Sequence, residues 1–413
     1  MAQDAIVLGA GIVGVSVALH LQQRGWQVTL IDRQGPGEAT SFGNAGLIEA
    51  SSVVPYAFPR NLGTLLNFAM NRSTALRYDL RSLPAYAPWL ARFWYESAPR
   101  RLAAAARDML PLIQRSVAEH EALTLRAGHD DLVRPTGWLE AYRSRKHFER
   151  EANAARRISS EYQLGMNVLE GSALHGLEAS IDGAYAGAIH WTDPRSVIDP
   201  GALTKGYAAL FEREGGRLLI GDAATLEQSG SGWRVTTASG PVDAQAAVVA
   251  LGIWSVDVAR KFGYRIPLMA KRGYHMHYER DGRAVLSRPV VDIENGYVVA
   301  PMRRGLRLTT GVELASRNRP PSPVQLERAE RIARPAFGLG ARIDASPWLG
   351  LRPCTPDMRP VIGAAERHAG LWFAFGHAHH GLTLGPVTGR LIAELMNGEA
   401  GFTDPNPYRP GRF

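Results

Sequence analysis

The chemical pattern with the most internal checks lies near the N-terminus. Gly9, Gly11 and Gly14 form G-x-G-x-x-G, and Asp32 follows 23 residues after the first glycine. In such a turn the first glycine permits a tight bend, the second lets the backbone approach a diphosphate, and the third lets a helix pack close to a strand. Ala10, Ile12 and Val13 fill the turn with backbone N–H groups at a helix start, where the positive dipole end favours phosphate. Asp32, with Arg33 beside it, stands where an acid can accept both hydroxyls of an adenosine ribose. The pattern reads as a dinucleotide site. It does not choose between FAD and NAD, and a turn that merely needs glycine is the plain alternative.

A second group lies near the C-terminus. Arg352, in Gly-Leu-Arg-Pro, carries a planar fork of donors that can clamp a carboxylate through two parallel hydrogen bonds. A structural pair with an acid such as Asp357 is the alternative. His377, His379 and His380 spell H-x-H-H, which invites a metal reading. No acid or cysteine stands nearby in the sequence to complete a ligand set, so no metal site is expected. Tyr274 and Tyr278 alternate with His275 and His277 in one strand pattern, so each pair faces one side of a sheet. Tyr297 opens a further strand pattern. A tyrosine in a strand can also be simply well packed.

These residues need elements to position them. Ala5 to Leu8 is an apolar run fit for a strand buried on both faces, and a helix carrying Val15, Ala18, Leu19 and Leu21 ends at Gly25. Val28 to Ile31 is the next strand, with Asp32 at its end. The loop from Ala39 to Ile48 is uncharged and rich in Ser, Thr, Gly and Asn. It offers small hydroxyls and N–H groups at close range, or is a plain connection. Residues 56–130 read as helical, with Pro55, Pro59, Pro84, Pro88, Pro99 and Pro111 as breakers. Trp89, Phe93 and Trp94 fall on one face there, as core or as a surface for a membrane or redox partner. A charged helix is expected over 144–163, a strand over Met166 to Leu169, a short turn or helix around Leu174, and a strand over Ala184 to Trp191. Asp199 is a candidate N-cap for a helix through Glu214. Strands follow at Arg217 to Ile220, Trp233 to Thr237 and Val242 to Leu251, so strand–helix units return far from the first. Residues 264–311 read as an antiparallel sheet with strands at Tyr274 to Tyr278, Val290 to Ile293, Tyr297 to Pro301 and Leu306 to Thr310. A helix from Pro323 to about Ala336, a strand from Leu371 to Phe375 and a helix from Val387 to Met396 complete the chain.

Length and composition set the frame. The 413 residues can build a large core and two or three domains. The single cysteine, Cys354, leaves no intramolecular disulfide and no cysteine metal cluster, which fits a reducing compartment. The chain enters its first strand almost at once, so no signal peptide is expected, and no apolar run is long enough for a spanning helix. The net charge of +8 is spread along the chain, which does not read as nucleic-acid binding.

Four blocks carry a family resemblance: GAGIVG with Asp32, ATSFGNAGLI, GLRPCTPDMRPVIG, and GHAHHGLTLGPVTGRLIAELM. With them the chain resembles the FAD-dependent D-amino-acid oxidase and dehydrogenase superfamily (the DAO family) over most of its length. Bacterial D-amino-acid and D-hydroxyproline dehydrogenases are the nearest in kind. The resemblance implies an α/β fold. A Rossmann-like FAD-binding domain is built from 1–55, 195–260 and 345–413. An α+β substrate domain is built from 56–194 and 261–344, with 56–130 as a helical insert. It implies noncovalent FAD, since the cysteine that tethers flavin in sarcosine-oxidase relatives has no match here. The first block would hold the ADP half, Thr40, Ser41, Asn44, Ala45, Gly46 and Leu47 the phosphates and ring, and Ala223, Ala224, Ala250, Leu251, Gly252 and Trp254 the adenine side. Gly376, His377, His379, His380, Gly381, Leu382 and Thr383 would lie along the flavin. Arg352 would hold the substrate carboxylate, and Tyr274 and Tyr297 would cover the substrate. Glycine oxidases carry a second arginine at the position of His379. Histidine there leaves His379 or His380 to contact the substrate or take a proton from its amine.

The implied reaction is oxidative deamination of a D-amino acid, including a cyclic one such as D-proline or hydroxyproline. Hydride passes to flavin N5, and electrons go on to a quinone or another acceptor. The rival readings are an O2-using oxidase of glycine, sarcosine or another N-substituted amino acid, and a flavoprotein subunit of a larger dehydrogenase. The implied setting is cytoplasmic, with peripheral contact at the inner face of the membrane as an option.

Overall fold

The computed structural model describes residues 3–181, 184–282 and 285–413. Residues 1–2, 182–183 and 283–284, which fall inside the expected domain ranges, lie outside the described residues. The first unit is β1 (Asp4–Leu8), α1 (Ile12–Gln22) and β2 (Gln27–Asp32), with the two strands parallel and Leu8 opposite Ile31. Every residue of α1 from Ile12 to Leu21 is buried. A mainly apolar helix buried all round belongs inside a core, and α1 packs between the helices Pro200–Arg213 and Gly381–Met396. Gly385 and Gly389, one turn apart, permit that approach. A Cβ on Gly389 would lie 2.5 Å from the Ser16 backbone, and one on Gly385 would lie 2.9 Å from Ile12.

The first unit sits at the centre of an eight-stranded sheet. Its parallel part runs Arg217–Ser229, β2, β1, Ala246–Val249, Leu371–Phe375. The antiparallel strands Gly232–Thr237, Gly240–Ala244 and Val361–Ala364 extend the two edges. All eight strands come from the three segments expected for the FAD-binding domain. β1 strands buried on both faces need apolar side chains throughout, and Ile6, Val7 and Leu8 are fully buried.

A second, eleven-stranded and mainly antiparallel sheet is centred on Met269–Arg280. Trp348–Cys354 pairs antiparallel with that strand, Arg352 opposite Lys271. This moves the expected boundary: the segment that carries Arg352 belongs to the second sheet, not to the FAD-binding one. Arg195–Val197 also leaves the first sheet and joins Leu47–Ile48 and Val133–Arg134 in a small three-stranded sheet.

The region 56–130 holds the helices Leu62–Ala69, Leu83–Glu96 and Pro99–Ala127, and the short strand Leu76–Tyr78. Two expected breakers do not break. Pro88 and Pro111 lie inside helices. A proline there removes one helical hydrogen bond at a cost of about 3 kcal/mol, and tertiary packing outweighs it. Trp89 and Phe93 are buried after the first, and Met109, Leu112 and Ile113 are buried around the second. Pro99 opens its helix at the first position, where the missing N–H has no helical partner to lose. Of the aromatic stripe, Trp89 and Phe93 are core while Trp94 and Tyr95 are about half exposed. No described helix is long and apolar enough to cross a membrane.

Candidate functional site

A cavity of about 750 Å³ lies where the two sheets meet, within the usual range for a cofactor and substrate pocket. The first sheet and its turns contribute Gly9, Gly11, Ile12, Val13, Asp32, Arg33, Ala223, Ala224, Ala250, Leu251, Gly252 and Trp254. The loop after β2 contributes Thr40, Ser41, Asn44, Ala45 and Leu47, and the C-terminal part contributes Arg352, His377, His379, His380, Gly381 and Leu382. Of the other expected residues, Ala10, Gly14, Gly46, Gly376 and Thr383 do not border the cavity; they support it.

The glycine turn is built so that only glycine fits. Gly9 has φ +108°, and a Cβ on it would lie 2.5 Å from the Ala250 carbonyl oxygen. A Cβ on Gly14 would lie 1.8 Å from the Gly9 carbonyl oxygen. Asp32 accepts hydrogen bonds from the N–H groups of Ala10 and Gln34, at 2.7 and 3.1 Å. It ties the turn to the end of β2 and still borders the cavity. Ser41 Oγ accepts from the Ile12 N–H at 3.0 Å, so the loop hydroxyl caps the start of α1. Arg33 lies 4.4 Å from the Trp254 ring centroid and closes that side. Turn, acid and bare backbone fit the diphosphate and ribose of an adenine dinucleotide.

On the opposite wall the pleat of Met269–Arg280 decides which residues matter. Arg272, Tyr274, Met276 and Tyr278 alternate with Lys271, Gly273, His275 and His277. The tyrosine side packs on the helix Val324–Phe337 in one apolar cluster. The cavity side holds Lys271 and Gly273. Arg352 lies flat over Gly273, where a Cβ would come within 2.4 Å of its Nη1. Arg352 Nη1 donates to the Gly311 carbonyl at 3.0 Å and Nη2 to the Thr310 carbonyl at 3.2 Å. Those two bonds fix the guanidinium plane and leave its other donors for a ligand. The alternative pairing with Asp357 does not occur: that carboxylate pairs with Arg412 at 2.7 Å.

Neither tyrosine covers the cavity as expected. Tyr274 borders it, but its hydroxyl donates to Glu313 Oε2 at 2.7 Å and accepts from Arg272 Nη2 and the Ser322 N–H. The Tyr297 hydroxyl donates to Asp292 Oδ2 at 2.9 Å, away from the cavity. Both point to the far face of the sheet because alternate residues of a strand must. Tyr274→Phe should therefore lower stability by about 1–3 kcal/mol, the effect of leaving buried partners unpaired, with KM for the substrate unchanged. Thermal melts and steady-state kinetics check this. A tenfold rise in KM without a melting shift would return Tyr274 to the substrate.

The H-x-H-H loop has a partner that sequence proximity could not reveal. Glu49 Oε2 lies 4.0 Å from His379 Nε2 and 4.0 Å from His380 Nδ1, and the three ligand atoms lie within 4.8 Å of one another. An acid therefore does stand beside these histidines, contrary to the expectation from sequence. Thr383 Oγ1 holds the Glu49 N–H at 3.0 Å, and Ser52 Oγ donates to Glu49 Oε2 at 2.7 Å. Burial pushes the Glu49 carboxyl up to about 7. It pushes His380 down to about 4 and His379 well below its ordinary value. His377 takes no part in this group. Its Nε2 contacts Thr388 Oγ1 at 3.0 Å, which ties the loop to the helix Gly381–Met396.

Sequence reading also passed over Tyr56 and Lys271. Tyr56 borders the cavity with its ring 4.9 Å from that of His379. Lys271 is sheathed by aromatics, its Nζ 4.3 Å from the Phe93 ring centroid, and burial lowers its pKa. The signal for Lys271 was its parity with Gly273 in the strand. Glu49 and Tyr56 carried none.

Comparison with known proteins agrees with this geometry. Residues 4–395 match the family model DAO, described as FAD dependent oxidoreductase. A D-amino-acid oxidase of Bradyrhizobium diazoefficiens is 31% identical over 98% of both chains. A D-amino acid dehydrogenase of Paramagnetospirillum magneticum is 31% identical over 95% of this chain and 94% of its own. Among solved structures, glycine oxidase from Geobacillus kaustophilus superimposes with a TM-score of 0.77 at 20% identity, over all of both chains. L-proline dehydrogenase from P. horikoshii does so with 0.73 at 17%, over all of this chain and 98% of its own. These two show the fold. The chain belongs to the DAO family of FAD-dependent oxidoreductases.

Proposed function

We propose that the protein oxidises the C–N bond of a D-amino acid with noncovalently held FAD and passes the electrons to a quinone or another acceptor rather than to O2. The observation that carries this reading is Arg352. Its guanidinium is pinned by the Thr310 and Gly311 carbonyls on the wall of the cavity that also holds the glycine turn. A carboxylate gripped there is held in one orientation, which turns a bimolecular encounter into a positioned one. Bound FAD supplies the acceptor for hydride from the α-carbon. The helix Gly381–Met396 opens on the same cavity through Gly381 and Leu382, and its positive end favours negative charge there. An amino substrate leaves as an imino acid that water hydrolyses, and a cyclic one as a cyclic imine. Cys354 is buried, and its thiol is held above its ordinary pKa by burial. That supports noncovalent FAD, because a tether needs the thiolate.

Exposed Leu62, Leu66 and Met70, with Trp94 and Tyr95, support an acceptor that docks on an apolar face. Arg60 joins the two groups by donating to the Trp94 carbonyl and lying 4.5 Å from its ring centroid. The second reading is an oxidase, favoured by the relative of that name. Anaerobic bleaching with a panel of D-amino acids, followed by mixing with O2, separates the two. Slow reoxidation by O2 and fast reoxidation by a soluble quinone are expected. Fast reoxidation with peroxide release would establish the oxidase.

A further inference from the structure

Glu49, His379 and His380 meet on one wall of the cavity. His379 Nε2 and His380 Nδ1 are buried with no hydrogen-bond partner among the described residues. Glu49 Oε2 stands 4.0 Å from each, too far for a direct hydrogen bond. Unpaired buried nitrogens cost free energy unless a ligand supplies donors. All three residues line the cavity that holds Arg352.

We infer that Glu49, His379 and His380 form the subsite for the substrate's ammonium group, and that Glu49 takes its proton before the C–N bond is oxidised. This rests on the amino-acid reading above. With each imidazole proton on the other ring nitrogen and Glu49 ionised, the three atoms are acceptors, and an ammonium offers three donors. Spacing favours an ammonium over a metal ion. A nitrogen about 2.8 Å from both ends of a 4.0 Å gap subtends about 90°, a workable hydrogen-bonding angle. A zinc-like ion, about 2.0 Å from each ligand, would lie almost on the line between them, which a tetrahedral site does not allow. The electrostatics agree. Both imidazoles stay neutral, and neutral imidazoles accept. Above about pH 7, where Glu49 is ionised, Arg352 and this triad form a positive and a negative pole complementary to a zwitterion, the carboxylate outweighing the positive end of the helix Gly381–Met396 that starts after His380.

The proton step balances. The ammonium N–H bond breaks, its proton goes to Glu49 Oε2, and the nitrogen keeps the electron pair that later forms the C=N bond. A carboxyl near 7 is far better matched to an amine than an exposed one. Burial raises it most, the Ser52 hydrogen bond and Arg352 lower it, and Glu140 raises it; Tyr56, His379 and His380 also face the carboxylate.

The test is binding to the oxidised holoenzyme, read from the flavin spectrum. The probes are 2-aminoisobutyrate, which has no α-hydrogen and cannot be oxidised, and pivalate, in which a methyl replaces the ammonium. Wild type should bind 2-aminoisobutyrate at least tenfold more tightly than pivalate, and the ratio should rise as pH passes about 7 and Glu49 ionises. Glu49→Gln should bring the ratio close to one with pivalate binding unchanged. His379→Asn, at a partly exposed side chain, should lower the ratio as a second variant. A ratio near one in wild type, or one that survives both substitutions, overturns the assignment. So does stoichiometric Zn2+ binding that is lost in Glu49→Gln, which would make the group a metal site. Because neither probe turns over, this result stands apart from whether any D-amino acid bleaches the flavin, which tests the proposed reaction itself.

Discussion

Arg352→Met should lower kcat/KM for the best D-amino acid by about 10²- to 10⁴-fold. Two charge-assisted hydrogen bonds to a carboxylate are each worth about 1.5–3 kcal/mol, and each 1.4 kcal/mol is a factor of ten. Part of the loss should appear as weaker binding of carboxylate probes and part as slower flavin reduction, because the clamp also orients the α-carbon. Arg352→Lys should recover little, since a point charge lacks the planar fork that Thr310 and Gly311 hold in place. The fold should tolerate the change. Arg352 lies over a glycine and its internal bonds go to two carbonyls on a neighbouring segment. Unchanged affinity for both substrate and pivalate would remove Arg352 from the substrate site.

Gly14→Val should abolish FAD binding and lower stability by more than about 3 kcal/mol, beyond the usual range for overpacking. The added Cβ would lie 1.8 Å from the Gly9 carbonyl oxygen. The obstacle is backbone, with no flexible side chain to yield. α1 is buried from Ile12 to Leu21 between two helices, so it cannot move away without opening the core. Purified variant should lack the absorbance of bound flavin, and its melt should shift far down or its yield collapse. Gly25→Ala is the matched control. Gly25 has φ +85° but nothing within 4 Å of a Cβ, so only backbone strain of about 1 kcal/mol is expected. Normal FAD content in Gly14→Val would mean that the turn does not hold the cofactor closely.

The difference between these two glycines marks how much was legible in sequence. G-x-G-x-x-G followed by a helix and a strand needs only local geometry, so β1, α1, β2 and Asp32 emerged with nearly correct bounds. The strands of the second sheet from Tyr274 to Thr310 were legible through alternation for the same reason. Pro88 and Pro111 were misread because a local rule was outweighed by the burial of Trp89, Phe93 and the Met109 to Ile113 stretch. The roles given to Tyr274 and Tyr297 rested on the family resemblance, which does not fix the side of the sheet. Parity along Met269–Arg280 put Gly273 and Lys271 on the cavity instead.

The dinucleotide turn, the division into a discontinuous sheet and an antiparallel one, and the candidacy of Arg352 are readable from the chain alone. Each follows from short-range pattern or from one residue's chemistry. What Arg352 leans on, which face of the second sheet meets the cavity, and the approach of Glu49 to His379 and His380 emerge only in the folded chain. Glu49 follows the strand Leu47–Ile48 and the histidines precede the helix Gly381–Met396, joined through the Glu49 N–H to Thr383. Contacts between such distant segments arise from how sheets and helices pack, and hydrophobic periodicity, which records burial, carries no information about which buried residues meet.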